Sequence, residues 1–316
     1  DGYKDFLSAP DFSGDDTGFT NIEPMVKLMW EPDSEQYQRF EFKFGYSDRE
    51  ADETYLGLSE SDFGSDPYKR YAASRFDNFD ADQERYYLRH FIELTENFHI
   101  NSTLYYNRFH RNWYKLNDLR NIDTNGDGLG DGLNLSLSAA LAGANGGVGL
   151  DVLQGTRAGD LRVRANNRDY YAYGVSIDPT VYFTTGDIEH ELQFGFRFHR
   201  DLIDRFQHDD IYEQTSIGTI GDNDGDMIAK TSGAPGSESD RLEETNAFSF
   251  YIRDTLSFGQ FTVTPGVRVE YLDQEFTNHL SPAANGDEQF PIVSGGIGAT
   301  YDFNYEFHFS GGAHRA

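Results

Sequence analysis

Apolar and polar residues alternate with a period of two along most of the chain. From Leu192 to Phe198 every second residue is apolar, and Gln193, Gly195 and Arg197 lie between them. Successive side chains of a β-strand point to opposite faces, so this period predicts strands with one apolar and one polar face. The same alternation recurs over residues 40–46, 171–177, 248–258, 261–271 and 293–309. Because no stretch of comparable length shows helical spacing, the chain is predicted to be all-β.

Short turns and long polar stretches alternate between these runs. Short turns are predicted at residues 32–34, 96–97, 185–187, 259–260 and 303–304, and polar stretches at 47–82, 115–167, 201–244 and 274–289. Loops beyond ~12–15 residues are uncommon in compact domains, whereas transmembrane β-barrels combine short periplasmic turns with long extracellular loops. The pattern therefore predicts a transmembrane antiparallel β-barrel, of which the chain supplies about ten strands. For any single stripe, the inner face of a soluble β-sandwich is the alternative.

Composition and charge exclude several classes of protein. The chain has 26 Lys and Arg against 54 Asp and Glu, a formal net charge of -28, and such a balance argues against nucleic acid as a partner. It contains no cysteine, which excludes disulfides, thiolate metal sites and a cysteine nucleophile. Neither a G-x-S-x-G elbow nor an H-E-x-x-H motif occurs, so no catalytic residue is assigned and no enzyme is predicted.

Four segments carry a resemblance to a known family: YLRHFIELT at 87–95, NWYKL at 112–116, RFQHDD at 205–210 and TPGVR at 264–268. They resemble the TonB-dependent outer-membrane receptors, and over about residues 20–316 the closest resemblance is to the ferric-citrate (iron dicitrate) branch of that family. The family's TonB-contacting box, globular plug and C-terminal aromatic strand are not found in this sequence. The resemblance implies that residues 1–316 are part of a single β-barrel domain of about 22 strands, without plug and terminal strands.

The resemblance also implies a function, a location and partners. It predicts active import of a ferric chelate, ferric citrate or a related siderophore, across the bacterial outer membrane, powered by the TonB complex acting through the plug. Membrane lipid and lipopolysaccharide would surround such a barrel, and no cofactor is required. Two other functions stay open at this point: a passive diffusion channel, and a surface adhesin or structural barrel that binds its partner through calcium.

Cations that face the lumen are the candidate binding residues for an anionic iron chelate, since the arginine fork binds carboxylates in a bidentate manner. The alternation places six arginines on the polar face, flanking the long loops: Arg85, Arg89, Arg111, Arg168, Arg197 and Arg268. Alternatively, each arginine pairs with a carboxylate of the wall, such as Glu93, Glu191 or Glu270.

One acidic segment resembles the beginning of a calcium-binding loop. Oxygen-bearing side chains alternate with glycines over residues 123–131, and the candidate ligands are Asp123, Asn125, Asp127 and Asp131. The twelfth position is Asn134 rather than the bidentate glutamate of an EF-hand. An unliganded acidic turn is therefore the alternative to a calcium site in an extracellular loop. A second acidic cluster follows at residues 222–226.

Overall fold

The computed structural model describes residues 17–215, 227–304 and 306–315. Their strands are β1 (Phe19–Ile22), β2 (Met25–Trp30), β3 (Gln38–Ala51), β4 (Asn78–Thr95), β5 (Phe98–Ile122), β6 (Leu133–Ser136), β7 (Gly159–Ala165), β8 (Arg168–Thr185), β9 (Ile188–Gln214), β10 (Met227–Thr231), β11 (Ser239–Phe258), β12 (Phe261–Asn278), β13 (Gly286–Asp302) and β14 (His308–Arg315). The helices are α1 (Glu60–Ser65), α2 (Leu137–Leu141) and α3 (Val148–Leu153), with short 3-10 turns at Ala72–Ser74, Ala144–Gly147 and Pro282–Ala284.

All of these strands belong to one antiparallel sheet. Its main path runs β1-β3-β4-β5-β7-β9-β11-β12-β13-β14, which gives ten strand positions across the described residues. β7 and β8 lie in line between β5 and β9, and β2 and β1 pair with successive parts of β3. Two-residue turns join the strands at 96–97, 186–187 and 259–260, and somewhat longer connections, 31–37 and 303–307, stand at the other two predicted places. The predictions of an all-β chain, of about ten strands and of short turns on one side are therefore confirmed.

The apolar stripes of the separate strands line up on one face, which is called the apolar face below. One row of cross-strand neighbours consists of Phe42, Leu88, Leu104, Val175, Phe198, Phe248 and Tyr271. The eleven residues from Phe261 to Tyr271 on β12 extend about 34 Å, which at the usual strand tilt spans about 25 Å of membrane. Most of these side chains are substantially exposed, as expected where lipid rather than protein covers them.

Aromatic residues mark both ends of the apolar face. Tyr86, Tyr106 and Tyr173 are cross-strand neighbours at the end that leads to the long loops. At the end of the short turns, the rings of Phe258, Phe261, Tyr301, Phe303 and Phe307 follow one another with centroid distances of 5.6, 4.6, 4.6 and 5.5 Å. Such girdles are typical of the two interfaces of a membrane. Among the described helices, none is long and apolar enough to cross a bilayer.

The strands extend further into the polar stretches than predicted. β5 continues to Ile122 and β9 to Gln214, and residues 279–285 alone separate β12 from β13. The predicted loop boundaries at 47–82, 115–167, 201–244 and 274–289 were therefore wrong. Beyond the membrane both faces of a strand meet water or other loops, so the period of two is lost although the backbone hydrogen bonds continue.

A hydrophobic core is formed by the loops rather than by the wall of the sheet. Residues 52–77 and 123–158 pack together on the ends of β5 and β7, and Tyr71, Leu119, Leu153 and Leu161 are almost completely buried there. The glycine-rich segment 143–149 contributes to this core. A Cβ atom on Gly149 would lie 2.8 Å from Leu135 Cδ1 and 2.9 Å from Ala140 Cβ, so only glycine fits.

This loop core covers the continuation of the apolar face, above the tyrosines. β7 and β8 keep one register along β9 across residues 166–167, so Leu161 and Val163 share the face of Tyr171 and Val175. On the opposite, polar face the loop of residues 52–77 reaches the wall at Tyr55, whose ring centroid lies 3.7 Å from that of Trp113. That polar face is the lumen side of the predicted barrel.

Candidate functional site

The lumen side of the sheet carries a row of arginines near the extracellular ends of the strands. Arg111 on β5, Arg168 on β8, Arg205 on β9 and Arg241 on β11 are direct cross-strand neighbours, and they are called the upper arginine row. The neighbours that continue the row are Ala81 on β4 and Asn278 on β12. Adjacent strands lie about 4.8 Å apart, so the four Cα atoms span about 14 Å.

The upper arginine row is not neutralised by direct ion pairs. Within the described ranges, no carboxylate lies within salt-bridge distance of any of its four guanidinium groups. The nearby charges that act on Arg205 are the cations of Arg168 and Arg241 and one carboxylate, that of Glu243 on the next row. The Nε atom of Arg205 is buried and has no hydrogen-bond partner among the described residues. Four guanidinium groups at one level therefore keep most of their donors for a ligand.

Aromatic residues hold one end of the row. Arg111 Nε and Arg168 Nη1 both donate to Tyr170 Oη, at 3.3 and 3.4 Å. The guanidinium of Arg111 also lies over the rings of Trp113 and Tyr170, at 5.8 and 5.9 Å from their centroids. Arg168 Nε donates to Asn166 Oδ1 at 3.2 Å. These contacts fix the two arginines without an ion pair to a carboxylate.

The arginines directly above the row are, in contrast, paired. Asp209 accepts from Arg164 Nε at 2.6 Å and from Arg162 Nη1 at 2.8 Å. Asp118 accepts from Arg162 and, at 2.7 Å, from Arg120 Nε. Uncompensated positive charge is therefore concentrated at the level of the upper arginine row.

The structure brings together only some of the six predicted arginines. Arg111 and Arg168 lie in the upper row, whereas Arg85 lies four residues further down its strand, about 14 Å away. Arg89 and Arg197 share a deeper level, about 27 Å along the strands. Arg268 lies deeper still.

Among the residues that the structure describes, a carboxylate of the wall pairs with one of the six arginines: Arg268 Nη2 donates to Glu270 Oε1 at 2.6 Å. Sequence reasoning missed Arg205 and Arg241. The alternation places both side chains on the lumen face, but it does not show that they lie level with Arg168.

The segment proposed for calcium is an acidic turn closed by hydrogen bonds. Asp123 Oδ1 accepts from the backbone N–H groups of Asn125 and Gly126, at 3.1 and 2.6 Å, and its Oδ2 accepts from Gly128 at 3.0 Å. Asp131 Oδ2 accepts from the amide and the hydroxyl of Thr124. Over the parts of the chain that are described, no three His, Cys, Asp or Glu side chains form a group that could hold a metal ion. The cluster at 222–226 lies outside the described residues.

Comparisons with known proteins agree with this architecture. Residues 29–316 match the family described as TonB dependent receptor-like, beta-barrel. The ferric citrate transporter FecA, in its unliganded form, superposes with a TM-score of 0.67 at 17% identity, over 94% of this chain and 36% of that one.

Two further solved structures show the same fold. The ferric-catecholate import receptor Fiu from E. coli K12, in its open form, gives a TM-score of 0.60 at 11% identity, over 96% of this chain and 47% of that one. The siderophore receptor PiuA from Acinetobacter baumannii gives 0.57 at 12% identity, over 91% and 40%. The chain thus spans less than half the length of these receptors. The family match covers nearly the whole sheet, and the chain belongs to the TonB-dependent receptor-like β-barrel family, whose members are transporters of the bacterial outer membrane and not enzymes.

Proposed function

We propose that the protein takes up an anionic ferric chelate through the outer membrane, and that the upper arginine row is its first binding site. The observation that carries this proposal is the alignment of four uncompensated guanidinium groups on four adjacent strands of the lumen wall. Charge-assisted hydrogen bonds between arginine and carboxylate are among the strongest polar contacts in proteins. A chelate that presents several carboxylates could contact several members of the row at once.

The chelate class that fits best is a ferric polycarboxylate such as ferric citrate. Neighbouring guanidinium groups are spaced by about 4.8 Å at their Cα atoms, a spacing that suits separate carboxylates of one small molecule. The similarity to a ferric citrate transporter supports this choice. Iron in such a complex is already chelated, so no iron ligand from this chain is needed.

The described sheet is proposed to be part of one larger barrel domain with a plug that contacts TonB. β14 at one end of the sheet, and β1 and β2 at the other, have no further partner among the described strands. Backbone groups on an open edge would be unsatisfied inside a bilayer, which supports further strands on both sides. Lipid and lipopolysaccharide would then surround the closed barrel.

The test uses the complete receptor that contains this chain, purified from the outer membrane. Ferric citrate is titrated into it by calorimetry, with iron-free citrate and a neutral ferric hydroxamate as comparators, and uptake of radiolabelled iron is measured in cells with and without TonB. Saturable binding of ferric citrate with TonB-dependent uptake supports the proposal. Ionic current without saturable binding overturns it in favour of a passive channel.

A further inference from the structure

A second row of residues on the lumen side has an arginine near each end and hydroxyl groups between them. In cross-strand order the row is Glu41, Arg89, Thr103, Ser176, Arg197, Ser249 and Glu270. Arg89 and Arg197 are called the lower arginine pair. They lie three strands apart, about 14 Å between Cα atoms, and about 27 Å along the strands from the upper arginine row.

The carboxylates at both ends of this row are already paired with other cations. Glu41 Oε2 accepts from Lys27 Nζ at 2.8 Å, on the far side of Arg89. Glu270 Oε1 accepts from Arg268 Nη2 at 2.6 Å, and the same Nη2 donates to Ser249 Oγ at 2.9 Å. No described carboxylate forms an ion pair with either member of the lower arginine pair. The Nε atom of Arg89 is buried and finds no partner among the described residues.

Arg197 is held in place by a chain of side-chain hydrogen bonds. Its Nε and Nη2 donate to Tyr105 Oη at 3.2 and 2.9 Å, and Tyr105 Oη lies 2.5 Å from His199 Nδ1. His199 Nε2 is 3.3 Å from Asp201 Oδ2. With the proton of His199 on Nε2, Arg197 donates to Tyr105, Tyr105 to His199 Nδ1, and His199 Nε2 to Asp201. The nearest opposite charge along this chain is therefore three hydrogen bonds away.

The wall is shaped to allow this arrangement. Tyr105 lies across Gly174 on the intervening strand, where a Cβ atom would be 2.4 Å from Tyr105 Oη. Arg89 is oriented in a comparable way, since its guanidinium lies 5.0 Å from the centroid of the Tyr87 ring. Both arginines are thus positioned by tyrosines, and the hydroxyls of Thr103 and Ser176 lie between them.

We propose that the lower arginine pair, with Thr103 and Ser176, forms a second anion-binding station in the lumen, which receives the carboxylate-bearing chelate after it leaves the upper row. The two guanidinium groups bind carboxylates from opposite sides, and the hydroxyls donate to oxygens between them. The station rests on the proposed function, because its cargo is the same anionic ferric chelate.

The test follows the chelate into the lumen of the complete receptor. A fluorophore is attached to Asn101→Cys, one lumen-facing position below Thr103 on β5 and outside the station, and its quenching by ferric citrate is recorded in outer-membrane vesicles energised through TonB. A second fluorophore at Gln83→Cys, beside the upper row, reports arrival at the mouth. In the parent receptor both probes are quenched in sequence.

Arg197→Gln is expected to leave quenching at the mouth unchanged and to shorten residence at the lower probe at least tenfold. Arg197→Lys, which retains the positive charge, should recover part of the residence time at the lower probe. Arg268→Gln with Glu270→Gln, which removes an arginine that is already paired, is the control and should leave the lower residence time intact. Unfolded variants are identified by loss of the heat-sensitive shift of folded barrels in gel electrophoresis, and Tyr105→Phe then replaces Arg197→Gln.

Each other outcome overturns a particular claim. If Arg197→Gln leaves the residence time at the lower probe unchanged, the second station does not exist, whether or not uptake becomes slower. The arginine then has another role, such as contact with a plug. If the parent receptor shows no quenching at the mouth probe, the proposed function fails and the station fails with it.

Discussion

Removal of Arg111 and Arg168 together is the change that tests the upper arginine row most directly. Both guanidinium groups share Tyr170 Oη through long hydrogen bonds of 3.3 and 3.4 Å, so their stronger donors remain for the ligand. A hydrogen bond to a charged group contributes ~1.5–3 kcal/mol, and two such bonds to a chelate give an upper bound of ~6 kcal/mol.

The measured loss should be smaller than this sum. Four neighbouring cations repel one another in the empty site, and removal of two relieves that repulsion. Tyr170 is also freed when its two donors are removed. We therefore expect Arg111→Ala with Arg168→Ala to weaken binding of ferric citrate by at least ~2 kcal/mol, about 30-fold in Kd.

Calorimetry on the complete receptor, at low and at physiological salt, measures this effect. Arg120→Gln is the matched control, because Arg120 is half-exposed and pairs with Asp118, which keeps Arg162 as a second partner. It should change Kd by less than threefold. A double variant that folds normally and binds within twofold of the parent receptor would refute the assignment of the upper arginine row.

Three further outcomes are expected from the loops and the wall. Desolvation raises the pKa of Asp77 to about 6, against hydrogen bonds from Thr54 and the Leu116 amide, so the stability that this group contributes is complete below about pH 4 and is lost as the pH rises through 6. As the pH rises from below 4 to above 6, the free energy of opening of the loop core, measured by hydrogen exchange, should therefore fall by ~3 kcal/mol in the parent receptor but not in Asp77→Asn. The same pH dependence in both proteins would contradict this expectation. Gly174→Ala should lower the thermal stability of the folded barrel by ~1–3 kcal/mol in a gel-shift melt, whereas Gly298→Ala, with nothing within 4 Å, should have no effect; equal melts would exclude the Tyr105 contact. Added calcium should leave protease protection of residues 123–131 unchanged, because backbone amides already occupy the carboxylates of Asp123; protection that rises with calcium and falls with a chelator would restore the metal site.

The membrane-spanning part of the fold was predictable because lipid imposes a strict pattern on every strand. Phe196 and Phe250 are cross-strand neighbours that both face lipid, and the side chains beside them along each strand face the lumen. The period of two therefore identified both strands and their faces. No such constraint acts on the segment 123–158, where Leu135 and Val152 pack into a small core whose contacts depend on the whole loop. Its short helices were missed for that reason.

The candidate site was only half predictable, for a different reason. The alternation along β9 assigns Arg205 to the lumen face. The height of a residue along the barrel, in contrast, depends on the register between strands, which the sequence of one strand does not contain. The turn lengths fix that register in the structure, and they place Arg205 beside Arg168 while Arg89 lies far below. The charge pairing that separates Arg268 from Arg197 also becomes visible only when all strands are aligned.

The tyrosines that lie across glycines have a mechanical consequence. Tyr105 crosses Gly174 to reach His199, and Tyr251 crosses Gly195 to reach Asp178 at 3.0 Å, so each phenol ties together the first and third of three consecutive strands. A sheet one layer thick can shear or peel between neighbouring strands, and such ties oppose that motion without adding bulk to the bore. The wall can therefore remain one strand thick at this depth and still resist shear between its strands.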